Sequence, residues 1–459
     1  MYLRGVNSRQ NSPRIILDAP AKIALAVTAG AWLITCLGGG SARADVQQLL
    51  LVRLAAVAGL ALLLLLVPAD RLRLQRSLLF FTLAVAIVLV IQLIPLPPSL
   101  WASLPGRDFY RTLAETQSVG AVWRPISFAP DLTWNSLLSL VPPLVFLLAI
   151  PVLGTRVSRR LLIGLWITIM VSGLIGLLQM AGGPDSPLRF YPINNQDSAI
   201  GFFANRNHQA AFLAMGIPLA AWWAGQTNVS PRLRRARWWI AGSSVLFLLM
   251  ASVMTQSRMG SIVVGLSLLL TAGLILRTTG LRKKALLAVG GAGLVVAAMA
   301  GVGLSTWWQA RFGGDHVEQD VRARVLPETL EAAKTYFPVG AGWGSFAQVY
   351  PRFESNDDLS PEYLNHTHSE LTQIVIEGGV VAILLLVVFL GWYVRTTWRA
   401  WRKPNGLGAP EGRLCTILLI LPLVASITDY PLRTPLMACA FAAAAAMLVM
   451  ALREGAAKS

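Results

Sequence analysis

Cysteine is scarce, with three in 459 residues, and Cys36, Cys415 and Cys439 each fall in or beside an apolar run. Thiols so placed read as small buried hydrophobes, which excludes a disulfide framework and a thiolate metal site. Charge is scarce as well, at 13% of residues against 55% hydrophobic. That balance excludes an ordinary soluble chain, because apolar runs of about 17 to 23 residues match the ~20 that a bilayer-crossing helix needs. Arg4, Arg9 and Arg14 precede the first apolar run and many further runs follow it, so that run is expected to remain as a span rather than leave as a signal peptide. Neither half of the chain repeats the other and no long central cytoplasmic loop is expected, so the inverted-repeat signature of a secondary transporter is missing.

What is present is an all-α membrane pattern. Spans are expected near 21–38, 49–67, 77–95, 134–152, 160–181, 208–225, 238–254, 259–276, 284–304, 372–394, 412–428 and 435–452, twelve in all. The net charge of +17 would suggest nucleic acid in a soluble protein. Here 25 of the 39 basic residues fall in the amino terminus, the carboxyl terminus and the short loops "RLRLQR", "GTRVSRR", "PRLRRARW", "RTTGLRKK" and "RTTWRAWRKPNGLGAPEGR". Topology explains this better than a nucleic-acid partner and places both termini in the cytoplasm. Of the 22 acids only Asp18, Asp70, Glu411 and Glu454 lie on that side. The opposite face has the long connections, 96–133, 182–207 and 305–371, so chemistry is expected there.

With the amino terminus inside, even-numbered spans begin at the outer face and point the positive end of the helix dipole outward. Three of these starts are polar: "GFFANRNHQAAF", "TQSRMGS" and "NHTHSEL". Asn205, Asn207, Ser257 and Asn365 are capping residue types. Arg206 and Arg258 put a cation where the dipole is already positive, which suits a bound anion such as phosphate. Arg53 and Arg433, near span ends, are expected to snorkel to lipid headgroups. Arg322, Arg324 and Arg352 lie in the long outer loop, where a solvated arginine is ordinary.

The sequence His366-x-His368 with Glu370 has metal-ligand residue types, yet H-x-H suits a strand better than a helix start and no third ligand is spaced to join them, so a metal is not expected. If the helix begins before His366, then His366, Glu370, Gln373 and Glu377 form one stripe and His368 faces nearly the other way. Glu377 lies about 13 Å deeper than His368 at 1.5 Å per residue, too far to touch it along a helix. An acid at that depth must face the bundle, so Glu377 is expected to pair internally. His368, at the water's edge, is the candidate general base for a hydroxyl.

The segments "GFFANRNHQAAFLAM", "TQSRMGS", "PVGAGWGSFAQVYPRFE" and "NHTHSELTQIVIEGG" come in the order seen in the O-antigen ligase and Wzy-type O-antigen polymerase family, which this chain resembles over roughly residues 195 to 395. The resemblance implies a GT-C-like bundle of about 12 transmembrane helices with a long periplasmic loop between spans 9 and 10. It divides the chain into N-terminal spans (1–194), a catalytic region (195–395, with loop 305–371) and C-terminal spans (396–459). It implies cofactor-free and metal-independent, inverting glycosyl transfer at the periplasmic face of the inner membrane, from an undecaprenyl-diphosphate-linked glycan to an acceptor glycan, either another lipid-linked repeat or the lipopolysaccharide core. A chain-length regulator is a candidate partner. By motif position, His368 matches the family's proposed catalytic histidine and Arg258 its S-R-G-like arginine; Arg206, Arg324 and Arg352 are the further candidates for the diphosphate. His366, Glu370, Glu377 and Asn365 would support His368, and Trp343 and Tyr350 offer rings on which sugars stack. The contrasting reading is a transporter or flippase of the same lipid-linked glycan, which should place charges near the bilayer midplane rather than at span ends.

Overall fold

The computed structural model describes residues 17–72, 76–117, 122–226, 229–279, 290–291, 325–356, 364–402 and 408–454. The described chain is mostly helical, as a lipid-facing backbone must be. The helices used below are α1 (Ala19–Gly38), α2 (Gln48–Leu66), α3 (Arg76–Leu93), α4 (Pro130–Leu138), α5 (Val141–Gly182), α6 (Arg206–Ala224), α7 (Pro231–Met254), α8 (Arg258–Thr279), α9 (Leu326–Tyr336), α10 (Glu370–Arg402), α11 (Ala409–Ala425) and α12 (Pro435–Glu454).

Among the described residues, eight helical segments are long and apolar enough to cross a membrane: α1, α2, α3, the continuous stretch Pro130–Gly182, α7, α8, α10 and α12. Their outer faces are apolar too, with Leu51, Leu54, Leu65, Phe80, Leu246 and Val388 each more than half exposed. Water does not tolerate such a continuous apolar exterior and lipid does, and the chain is a multi-pass membrane protein. The expected spans 134–152 and 160–181 lie on the single stretch Pro130–Gly182, which breaks at Gly154, where φ is 70°. A straight helix of that length would overshoot the roughly 30 Å hydrocarbon core. The expected span 284–304, but for Gly290 and Gly291, lies outside the described residues.

The helices α6 and α11 coincide with the expected spans 208–225 and 412–428 and lie inside the bundle. From His208 to Trp222 every residue of α6 is buried. Its run of Ala and Gly lets α5, α7, α8 and α11 pack closely around it. Around this centre α12 packs on α5 and α11, and α1 and α2 pack on α5.

The connections at one end of the bundle build a small cap with its own core. Val325, Ala332, Tyr336, Phe346, Val349 and Tyr350 are buried against Ile376 near the start of α10, with Phe128 and Phe353 packed on them. One two-residue antiparallel pairing, Pro95–Leu96 with Arg124–Pro125, closes the loop that carries Arg107. Arg107 is fully buried and donates to the carbonyls of Pro105, Ile126 and Gly340 at 2.8, 2.7 and 3.2 Å. Its guanidinium lies 4.5 Å from the Phe128 ring centre, and burial lowers its pKa to about 10.

The stretch "PVGAGWGSF" explains its glycines here. Gly342 has φ +100°, and a Cβ added to it would stand 2.3 Å from Ser127 Cα. Its N–H donates to the Glu377 carbonyl at 3.0 Å, so the backbone cannot retreat without losing the contact that docks the cap on α10. Gly342→Ala is therefore expected to destabilise the purified protein by at least about 1 to 3 kcal/mol, from strained backbone and overpacking together. Gly164→Ala, in a helix with nothing within 4 Å of the added carbon, should leave thermal unfolding in detergent unchanged or slightly raised.

Candidate active site

The turn between α11 and α12 ties the starts of α6 and α10 together, and the start of α8 is bonded to that of α6. Asn205 caps α6, its side-chain oxygen accepting from Asn207 N at 2.8 Å. Ser257 caps α8, accepting from Gly260 N at 2.8 Å, and its hydroxyl donates to Asn207 Oδ1 at 2.6 Å. The first residues of α6 and α8, Arg206 and Arg258, thus flank a direct hydrogen bond between the two helix starts. The backbone N–H of Arg206 donates to Asn195 Oδ1 at 2.9 Å, and the Arg258 side chain is exposed. Two groups of like sign at two positive helix ends make an anion-attracting rim.

Bonded to the start of α6 is Asp429, which is fully buried. One of its oxygens takes the His208 ring Nε2 at 3.2 Å and the Tyr430 N–H at 2.8 Å; the other accepts from the side-chain amides of Asn207 and Asn205. Burial alone would raise its pKa, but His208, the neighbouring His368 and the Asn207 hydrogen bond outweigh burial and hold the carboxyl well below its ordinary range. A carboxylate is therefore maintained inside the protein next to two histidines.

The start of α10 differs from the sequence expectation. The helix begins at Glu370, whose N–H donates to the Ser426 carbonyl at 3.1 Å, and not before His366. His368 takes φ +53°, a left-handed conformation that no right-handed helix admits. The polar stripe forms all the same, because the turn folds back. The Gln373 amide donates to His366 Nδ1 and to Glu377 Oε1, both at 2.9 Å. Glu377, fully buried, also receives Arg433 Nη2 at 3.2 Å and the Phe346 N–H at 3.4 Å. Arg433 grips Glu370 with two nitrogens, at 2.8 and 2.9 Å.

Arg433 therefore does not snorkel. Burial would lower its pKa, but Glu370 and Glu377 more than offset that and raise it. Arg53 is also engaged, bonding the side chain and carbonyl of Asn135 in α4.

Three of the four histidine rings meet one aromatic side chain. The Tyr430 ring centre lies 4.2 Å from that of His366, 5.2 Å from His208 and 5.5 Å from His368. His366 is held well below the ordinary imidazole pKa by burial, by Arg433 and by His368. The unfolded chain binds a proton there from about pH 6.5 downward while the folded chain does not. Stability supplied by the neutral ring is thus present above about pH 6.5 and is lost as pH falls toward the depressed folded value. Thermal midpoints measured from pH 8 to pH 5 are expected to drop below pH 6.5, and His366→Gln should flatten that drop.

The remaining expected site residues are distributed more widely. Asn365 and His368 are half-buried beside this cluster. Arg352 is exposed, donates to the Gly106 carbonyl at 3.2 Å and lies over Phe109 and Phe353. Arg324 and Arg322 lie outside the described residues. Trp343 is half-buried with its ring beside Gly378, its N–H bonded to Gln92 and its carbonyl to Thr133. Tyr350, expected to stack on sugar, is only 2% exposed and hydrogen-bonds Glu328 inside the cap, so its ring has no open face.

Asp429 and Tyr430, in "SITDYPLR", escaped the sequence reading, as did the part played by His208. Their only signal was a lone acid between two apolar runs.

Residues 243–387 match the family model described as O-antigen ligase. No curated protein matches the chain. The matched segment runs from α7 into α10 and includes Arg258, the glycine-rich loop, His366, His368, Glu370 and Glu377. Through that segment this multi-pass membrane protein is similar to the O-antigen ligase family.

Proposed function

We propose that the protein catalyses inverting glycosyl transfer at the periplasmic face of the inner membrane, with both termini cytoplasmic. The donor is a glycan on undecaprenyl diphosphate. The acceptor is a sugar hydroxyl, on a second lipid-linked repeat or on the lipopolysaccharide core. The observation that supports this reading is the buried Asp429 carboxylate, which is influenced by His368 and bonds Asn207 at the bridged, arginine-bearing helix starts.

The roles follow from charge. The acceptor oxygen attacks the anomeric carbon from the face opposite the diphosphate, the carbon–oxygen bond to the phosphate breaks, and His368 takes the hydroxyl proton. Lipid diphosphate departs with the bonding pair, and Arg206, Arg258 and the positive ends of α6 and α8 meet its growing charge. Asp429 stabilises the imidazolium as it forms, since a fixed carboxylate in a water-poor site needs no reorganisation. Arg324 and Arg352 are further candidates for the diphosphate. Trp343, with its half-open ring, is the candidate sugar platform.

The test is transfer by purified protein given lipid-linked repeats, with and without lipopolysaccharide core and with and without EDTA. Longer lipid-linked chains would mark a polymerase and a core-linked product a ligase. Activity is expected to survive EDTA, because arginines and helix ends supply the positive charge, and loss of activity in EDTA would contradict the metal-free mechanism.

A further inference from the structure

The turn Asp429–Arg433 acts as a clasp between two helices. Its acid end binds α6, through Asn205, Asn207 and His208, and its arginine end binds α10, through Glu370 and Glu377. Between these charged ends stands Tyr430, 7% exposed, with its ring against three histidines drawn from both sides. Pro431 follows it and opens the short 3₁₀ turn that ends at Arg433, which limits how far the ring can drift.

The three histidines are not equivalent. His208 is buried and fixed edge-on to Tyr430 by its bond to Asp429. His366 is pinned by Gln373. His368 sits in a left-handed turn, a conformation that persists only when its surroundings over-determine it. Its ring makes a tilted contact with Tyr430 at 5.5 Å and 48°, within the range of favourable aromatic pairs.

Resting on the transferase reading above, we propose that Tyr430 is a positioning residue, whose ring fixes the imidazole of His368 in the orientation that receives the acceptor proton. The role belongs to the aromatic ring and not to the hydroxyl. A base must lie within hydrogen-bond reach of the proton it takes, and a misplacement of about 1 Å can cost on the order of 100-fold.

The experiment compares Tyr430→Phe with Tyr430→Leu and Tyr430→Met, each assayed per folded molecule after gel filtration. The Phe variant is expected to keep kcat within about threefold. The Leu and Met variants are expected to lose about 10- to 100-fold in kcat, with KM for the lipid-linked donor unchanged. Aliphatic variants as active as the parent would overturn the proposal, and so would a Phe variant as impaired as they are.

A second readout does not depend on turnover. In protein carrying isotope-labelled histidine, the ring signal that disappears in His368→Asn is expected to be displaced by the Tyr430 ring current and to relax toward the free-histidine position in Tyr430→Leu. Should both aliphatic variants fail to fold, a parent His368 signal lying at the free-histidine position would overturn the proposal by itself. A displaced signal in a parent that transfers nothing would sink the transferase reading while leaving the ring contact standing.

Discussion

His368→Asn is expected to lower glycosyl transfer by about 10²- to 10⁴-fold, the range that a positioned general base supplies. Asparagine is a better probe than alanine because the backbone at this position has φ +53°. Asparagine tolerates left-handed geometry and alanine does not, so alanine would mix a backbone strain of roughly 1 kcal/mol with the loss of the base. With asparagine the turn keeps its shape, Asp429 keeps its bonds to His208, Asn207 and the Tyr430 N–H, and only the proton acceptor is gone. The arginine-bearing helix starts remain to assist departure of the diphosphate, so donor binding should persist while turnover collapses. Substitution of His366 should behave differently, since its ring is held neutral and spends its nitrogen on Gln373. The measurement is transfer rate and donor KM at equal amounts of folded protein; normal polymer from His368→Asn would remove the residue from the chemistry.

Much of the fold is legible in the sequence because a bilayer imposes one length and one composition on every span. The helices α1, α2, α3, α7, α8, α10 and α12 lie where uninterrupted apolar runs place them. The polar starts of α6 and α8 are legible for a related reason, since Asn205 and Ser257 cap them by short-range bonds written in adjacent residues. The relations that hold the candidate site together are long-range. Asp429 is 221 residues from His208 and Arg433 is 56 from Glu377. No periodicity connects residues that far apart, and an arginine near a span end reads as a snorkelling side chain until its carboxylates are seen. The start of α10 is obscured by the same long-range effect. Several residues of "NHTHSEL" are capping types and none singles out the first helical position, which is set where Ser426 takes the Glu370 N–H and His368 turns left-handed. Tyr350 shows the converse, because an aromatic in a glycine-rich loop can pack inward as readily as it faces a ligand, and here it fills the cap.

Arg433→Met should be the most destabilising single substitution in this region, costing about 3 to 5 kcal/mol. Methionine fills much of the space, so the cost lies in what it strands. Glu377 is fully buried and Glu370 is mostly so, and both would face each other without their shared cation. The bonds from Gln373 and the Phe346 N–H cover only one oxygen of Glu377, leaving the other with no partner of opposite charge. Two carboxylates left this way must either bind protons or admit water, and each route takes free energy from the folded state. The triple variant Arg433→Met, Glu370→Gln, Glu377→Gln should recover most of the loss, since a neutral network of similar volume carries no uncompensated charge. Thermal unfolding of the four proteins in one detergent, parent, single, double with Glu377→Gln and triple, separates charge from packing. Recovery that grows as each carboxylate is neutralised assigns the cost to charge, whereas a triple variant no more stable than Arg433→Met alone would assign it to lost packing of the arginine stem. Glu370→Gln with Glu377→Gln in the parent background should be nearly as harmful as Arg433→Met, because it leaves the arginine as the buried charge without a counterion.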